Sequence, residues 1–138
     1  MILKKFDEIS VRVYYEDTDA GGIVYHTKYL NFAERARTEF LRKRNLEQHS
    51  VYTKFGIYFI VKSIDISYLK VSYLDDLLKI KTTIIALNRA KVNFFQLITN
   101  NNTNIAKIKV TVCCINKNRK VARMNDALYH VFRDFERK

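Results

Sequence analysis

The stretch Thr27-Lys28-Tyr29-Leu30-Asn31-Phe32-Ala33-Glu34-Arg35-Ala36-Arg37-Thr38-Glu39-Phe40-Leu41-Arg42-Lys43-Arg44 decides how the rest of the chain is read. Tyr29, Phe32, Ala33, Ala36 and Phe40 fall on one stripe at helical spacing, while Lys28, Glu34, Arg35, Glu39 and Arg42 lie mainly elsewhere. This spacing predicts an amphipathic helix from about Thr27 to Arg44, the only long one in the body of the chain. Tyr29 and Phe32 are positioned to border a ligand, although core packing is the first role of such a stripe.

Outward from the helix the period changes to two. Ile9, Val11, Val13 and Tyr15 alternate with Ser10, Arg12, Tyr14 and Glu16, the pattern of a half-buried strand. A polar loop from Asp17 to Gly22 follows it. Beyond the helix, Asn45 to Gly56 is irregular, with room for a short helical turn. Four strand-like segments come next. Ile60, Ile64 and Ile66 alternate with Ser63, Asp65 and Ser67; Leu78, Ile80, Thr82, Ile84 and Ala86 share a face; Val92 to Thr99 is a third; Ile108, Val110, Val112 and Cys114 share a face of the fourth. Asn88 to Lys91 suggests a tight turn, and Asn100 to Asn104 a hairpin, because Asn tolerates positive φ. A short helix is expected from Asn125 to Arg137, capped by Asn125 or Asp126. The expectation is one α+β domain over residues 1–138, with an antiparallel sheet of about five strands against a single long helix. One helix cannot cover both faces of such a sheet, so the other face or an edge needs a partner subunit.

The composition sets limits on function. The chain has 138 residues, 48% hydrophobic and 28% charged, with eighteen aromatics (nine Tyr, nine Phe) and no proline. A chain this long buries roughly 68% of its unfolded surface and needs no disulfide or metal staple. Its formal net charge is +11, which attracts anions: nucleic acid, acidic lipid, an acidic protein or a phosphorylated ligand. No helix-turn-helix, RNP-like or zinc signature supports nucleic acid, and the helix carries mixed charges. Cys113 and Cys114 are adjacent, a geometry unsuited to bridging each other, and read as a reduced pair on a strand. With three scattered histidines they make no metal pattern. Met1 to Phe6 lacks the apolar stretch of a secretory signal. No apolar run approaches the ~20 residues of a membrane span. A cytoplasmic location is expected.

The loop before the helix is where chemistry concentrates. Asp17-Thr18-Asp19-Ala20-Gly21-Gly22 begins like a calcium loop, but position twelve would be Lys28 rather than a bidentate Glu. A tight turn explains Asp and Gly equally well. Two glycines also let a backbone approach a ligand, and the loop runs into a helix N-terminus near His26 to Tyr29, where free N–H groups form an anion or oxyanion site. A carboxylate beside such a site is a candidate base or nucleophile.

Arg12-Val13, then Thr18-Asp19, Gly22-Ile23-Val24, His26 and Tyr29, resemble the signature of the 4-hydroxybenzoyl-CoA thioesterase family. Val11 to His26 and Asn31 to Arg42 resemble its YbgC-like branch. The match is dense over residues 11–44 and looser to about residue 135. The resemblance implies a hotdog fold, in which an antiparallel sheet wraps a central helix. It further implies hydrolysis of acyl-CoA to free acid and CoA, with no cofactor beyond the CoA of the substrate. Subunits would pair through their sheets, often as a dimer of dimers, with active sites at the interfaces.

The family comparison places the catalytic carboxylate at Asp19 and gives His26 the oxyanion role through its backbone N–H. It also supports Tyr15 as a positioning residue, with Gly22, Ile23, Val24 and Tyr29 around the substrate. Asp17 is read as a loop brace, and Glu34 and Glu39 are competing helix carboxylates. Arg89 and Lys91, at a turn between strands, suit the phosphates of CoA; exposed charge is the alternative. An acyl carrier protein is a second candidate substrate carrier, its acidic surface matching the charge. A non-catalytic thioester-binding protein linked to envelope upkeep is the non-enzyme alternative. The chain departs from the family where a Pro-Ala-Arg-like step reads Val71-Ser72-Tyr73, and where a C-terminal Pro is Asn125; both changes bear on loop geometry.

Overall fold

The computed structural model describes residues 5–136, so the reading of Met1 to Lys4 lies outside the described residues; the last helix, expected to run to Arg137, ends at Arg133, and Glu136 bridges Ile84 instead. The elements run β1 (Asp7–Arg12), α1 (Lys28–Arg42), α2 (Gln48–Phe55), β2 (Tyr58–Tyr68), β3 (Leu77–Leu87), β4 (Lys91–Asn100), β5 (Thr103–Ile115) and α3 (Asp126–Arg133). The strands form one antiparallel sheet in the order β1-β3-β4-β5-β2. This is the hotdog arrangement, with α1 lying along the concave face.

The helical stripe holds. Tyr29, Phe32, Ala33, Ala36 and Phe40 are all buried, joined by Leu41. They pack on the concave faces of the strands, where Leu78, Ile80, Ile84, Ile98 and Ile108 have no exposed surface. Phe40 lies at the centre of an aromatic cluster, its ring 6.0 Å from Phe132, 6.2 Å from Phe94 and 5.0 Å from Phe135. Asn125 caps α3 as expected, its side chain accepting the Leu128 N–H at 2.9 Å. The Asn hairpin is also as expected, with Asn101 and Asn102 at φ 49° and 66°.

Four further details differ from the sequence reading. β1 stops at Arg12, so Tyr15 is not on a strand. Asp17 pulls the chain into a single 3₁₀ turn over Tyr15–Asp17, accepting the Tyr14 N–H at 2.9 Å, and Tyr15 is left 82% exposed. The irregular stretch after α1 contains a full two-turn helix, α2, ended by Gly56 at φ 66°; it buries only Val51, so little periodicity announced it. In β2 the register shifts between Val61 and Ser63. Ile60 therefore shares a face with Ser63 and Asp65, while Val61 joins Ile64 and Ile66. In β3 a shift between Ile84 and Ala86 takes Ala86 off the core face.

The convex face needs little covering. Phe95 and Leu97 are sealed there by Phe6 and Ile85, and by register Lys81 and Lys107 flank Leu97. The longest stretch of uncovered apolar surface is the β2 edge and the segment after it: Ile60, Val61, Ile64, Tyr68, Leu69 and Val71 are each 40–48% exposed, and Leu74, Leu77 and Val121 are exposed as well. Cys113 and Cys114 are free; burial pushes the Cys114 thiol pKa up to about 12.

Candidate active site

Asp17 is the brace of the loop. It is buried, its carboxylate takes the Tyr14 N–H, and its carbonyl accepts the Tyr25 N–H at 2.8 Å. Between these ties the chain doubles back. The Asp19 N–H donates to the Ile23 carbonyl at 2.9 Å and the Gly22 N–H to the Asp19 carbonyl at 3.0 Å, with Gly22 at φ 80°. That φ lies in the region Gly enters without steric cost.

Asp19 sits exposed at the tip. Its Oδ1 accepts the Gly21 N–H at 2.8 Å. A Cβ on residue 21 would stand 3.2 Å from that same oxygen, so the missing side chain permits the close approach. One carboxylate oxygen is thereby fixed, and Oδ2 has no hydrogen-bond partner among the described residues.

The loop is stapled to the segment before β3. The Val24 N–H donates to the Ser72 carbonyl at 2.9 Å, and Ile23 bridges Tyr73. The Val13 N–H donates to the Asp76 carbonyl at 2.8 Å, and Arg12 Nη1 to the Asp75 carbonyl at 2.7 Å. Ser72 and Tyr73 thus hold the loop through their backbones, without the family's prolines.

The loop delivers the chain into α1 with its N-terminus electrostatically open. Thr27, the N-cap, makes no side-chain cap, and the first turn has no acidic residue. The His26 N–H donates to no acceptor among the described residues, whereas its neighbour Tyr25 is tied to Asp17. Unsatisfied N–H groups and the positive end of the helix dipole favour negative charge here. Tyr68 Oη donates to the His26 carbonyl at 3.1 Å, steadying the peptide from β2. The His26 ring is exposed, 4.6 Å from the Tyr25 ring and 6.3 Å from that of Tyr68. A cleft of about 240 Å³ opens beside it, lined by Ile23, Val24, His26, Tyr29, Tyr68 and Leu69 among others. Burial pushes the Tyr29 phenol pKa up, with Ser72 beside it pulling the other way.

The structure therefore brings Ile23, Val24, His26 and Tyr29 around one cleft, with Asp19 and Gly22 in the loop that leads to it and Tyr15 in the turn before that loop. Tyr68 and Ser72 were not anticipated as part of it, because their positions depend on pairing across the sheet. Arg89 and Lys91 are elsewhere. They lie at the far end of β3 from the loop, about 30 Å along an eleven-residue strand. Arg89 is already engaged: Nη1 is 2.7 Å from Asp126 Oδ1, and the guanidinium lies 4.1 Å from the Tyr129 ring centre. Neither lines the cleft beside the loop.

Comparison with known proteins agrees with this architecture. Residues 13–132 match the family model of the thioesterase-like superfamily. The chain is 45% identical to an acyl-CoA thioesterase YbgC of Haemophilus influenzae over 105 residues, 76% of this chain and 77% of that protein. It is 42% identical to an acyl-CoA thioester hydrolase YbgC of Escherichia coli O157:H7 over 106 residues, 76% and 78% of the two chains. A probable thioesterase from Bartonella henselae superimposes with a TM-score of 0.84 at 33% identity, covering 88% of this chain and all of that one. With its hotdog sheet, uncapped helix and exposed loop carboxylate, the chain belongs to the thioesterase-like superfamily, in its YbgC-like branch of acyl-CoA thioester hydrolases.

Proposed function

We propose that Asp19 is the carboxylate that acts on the acyl-CoA thioester and that the His26 N–H receives the developing oxyanion. The carrying observation is the pairing of a carboxylate held by the Gly21 N–H with an uncapped helix N-terminus in one short loop. As a base, Asp19 takes a proton from water while the water oxygen attacks the carbonyl carbon, and the tetrahedral intermediate then breaks its C–S bond and expels the CoA thiolate. As a nucleophile, it attacks directly, expels the CoA thiolate and forms an acyl anhydride that water then cleaves. Either way negative charge gathers on the carbonyl oxygen, where one preorganised N–H is worth about 10²–10³ in rate. Tyr15, at the loop entrance, is a positioning residue for carboxylate or carbonyl. Gly22, Ile23, Val24 and Tyr29 border the acyl and pantetheine groups. Asp19→Asn should remove nearly all turnover while leaving fold and ligand binding intact; near-normal turnover would exclude Asp19.

The working unit is a homo-oligomer, a dimer of dimers. β2 is an eleven-residue edge strand with exposed apolar side chains, and long, apolar edges invite pairing with another chain. A second copy paired there would extend the sheet and bring its own surfaces to the loop. In that setting Lys91, and Arg89 if released from Asp126, would meet CoA phosphates in a neighbouring subunit's site. Ile64→Glu, on the exposed strand, should shift the protein to monomer in sedimentation and lower turnover with it. A monomer of full activity would refute the assembly.

The surrounding conditions follow the same reading. No helix among the described residues is long and apolar enough to cross a membrane, and the proposed setting is the cytoplasm. Delivery of the thioester on an acyl carrier protein is the second reading, favoured by the +11 charge and by Lys81 and Lys107 on the convex face. Comparing kcat/KM for one acyl group on CoA and on the carrier protein, at low and high salt, tests it. A carrier-bound substrate should lose the more to salt.

A further inference from the structure

Away from the catalytic loop, on the side of α1 toward β2, Arg37 is half-buried. Burial pulls its guanidinium pKa below the usual value, with Glu34 opposing. Nη1 donates to Gln96 Oε1 at 2.9 Å. Gln96 is fully buried and has no rotational freedom: its Nε2 donates to the Ala33 carbonyl at 2.9 Å and to Thr82 Oγ1 at 3.0 Å. Both amide donors are thus used, and the remaining oxygen is turned toward Arg37. No carboxylate forms an ion pair with Arg37 among the described residues.

This is an unusual way to keep a charge. A guanidinium carries five N–H donors, and one is in use. A charge withdrawn from water is destabilising unless it is paired and hydrogen-bonded. Arg37 is held in place by a three-residue relay from β3 through β4, yet the relay leaves its fork open. The fork borders a cavity of about 110 Å³ walled by Leu41, Phe59, Phe94 and Phe132, with Glu34 and Gln48 also in its lining; the Glu34 carboxylate accepts from Thr38 Oγ1 at 3.0 Å. A void of about 150 Å³ takes a benzene ring, so this one accepts a smaller group, the last few atoms of a tail. Apolar walls from Leu41, Phe59, Phe94 and Phe132 beside a planar cationic fork suit a chain that ends in a carboxylate, which such a fork binds through two hydrogen bonds.

We propose that this cavity is the far end of the acyl-binding site and that it selects acyl groups whose tail ends in an oxygen acceptor, above all a carboxylate. Arg37 reads the terminus and Gln96 positions Arg37. The inference rests on the thioesterase reading. Arg37 is eight residues from Tyr29, about 12 Å along the helix axis. A thioester at the loop therefore reaches the cavity only with a long tail. Glu34 of a second copy is the rival occupant, as a symmetric ion pair.

The test uses pairs of acyl-CoA substrates matched in shape, one ending in carboxylate and the other in an isopropyl group. Glutaryl-CoA with 5-methylhexanoyl-CoA is the shortest pair, and longer homologues complete the panel. At the best length the protein should favour the carboxylate member in kcat/KM. Arg37→Met should cut that preference about tenfold or more, as expected for losing a hydrogen-bonded charge, with the isopropyl substrate nearly unaffected. That second value shows that the variant folds. Arg37→Lys, which keeps the charge and loses the fork, should fall between. An unchanged ratio in Arg37→Met overturns the proposal, as does a wild-type protein without preference. So does a variant that only weakens the oligomer in sedimentation, which would assign Arg37 to the partner's Glu34. Should the protein hydrolyse no acyl-CoA, the thioesterase reading fails first. Calorimetry with free glutarate and longer diacids then still decides whether the cavity binds a carboxylate through Arg37.

Discussion

The two ends of α1 are finished in opposite ways. At its C-terminal end every device for closing a helix is present. Arg42 lies in the last turn, Asn45 turns the chain with φ 59°, and the Leu46 N–H reaches back to the Leu41 carbonyl at 2.9 Å. Arg44 Nη1 donates to the Phe40 carbonyl at 2.7 Å while its guanidinium lies 4.0 Å from the Phe40 ring centre and 4.1 Å from that of Phe135. Buried Asp7 at the start of β1 adds ion pairs at 3.4 Å to both Lys43 and Arg44. At the N-terminal end the cap is missing, no carboxylate occupies the first turn, and the approaching loop is exposed. One end commits its polar groups to the fold; on the proposed reading, the other keeps them available for a ligand. Stability and turnover should therefore separate along a single helix.

The largest separation is expected from Asp19→Asn. The change is nearly isosteric, and the Gly21 N–H keeps an oxygen acceptor. Turnover should drop at least ~10³-fold, the scale on which activated water and nucleophiles operate, with the thermal midpoint within a degree or two of wild type. A large fall in midpoint would mean that the loop carboxylate is structural. Phe40→Ala should do the converse. Its ring has no exposed surface and touches three other aromatic rings, so truncation should cost about 3–5 kcal/mol in denaturant titration. Turnover per folded molecule should stay near normal for an acyl-CoA too short to reach the cavity walled by Phe94 and Phe132. Specific activity collapsing in the folded fraction would break the claimed independence of the two ends.

Gly21→Ala probes the open end more gently. The added methyl would stand 3.2 Å from Asp19 Oδ1, and the carboxylate must move by a few tenths of an ångström. Because a misplacement near 1 Å can cost about 10²-fold, kcat should fall about tenfold with little change in stability. A kcat equal to wild type would show that the carboxylate needs no such placement.

The same division explains what could be read from sequence. The stripe of α1 and the alternation of Ile108, Val110, Val112 and Cys114 depend only on local period, and both appear as expected. Asp17 as brace and Asn125 as cap were legible because their bonds reach only three residues along the chain. The bulges after Val61 and Ile84 were not, since an extra residue in one strand is set by its partner strand. Tyr15 read as a strand residue because its alternation continues past the point where Asp17 ends the strand. Gln96 was read only as part of the strand from Val92 to Thr99, since its role depends on Arg37, 59 positions away. The loop of the site was legible because it is contiguous; Tyr68, Ser72 and the separation of Arg89 and Lys91 from it depend on topology.

The smallest effect tests the closed end by itself. Asn45 is exposed and makes its contribution through backbone conformation, since φ 59° lies where a β-carbon meets the carbonyl. Asn tolerates this region better than Ala, and Gly better still. Asn45→Ala should lower stability by about 0.5–1 kcal/mol, and Asn45→Gly should change it by a few tenths, as expected for a left-handed C-terminal turn. Both variants should turn over substrate at the wild-type rate, because the loop lies at the opposite end of a fifteen-residue helix. Matched chemical denaturation of the three proteins orders them Gly and Asn together, Ala below. An Ala variant as stable as the Asn parent would mean that Arg44, packed between Phe40 and Phe135, closes this end without help from the turn.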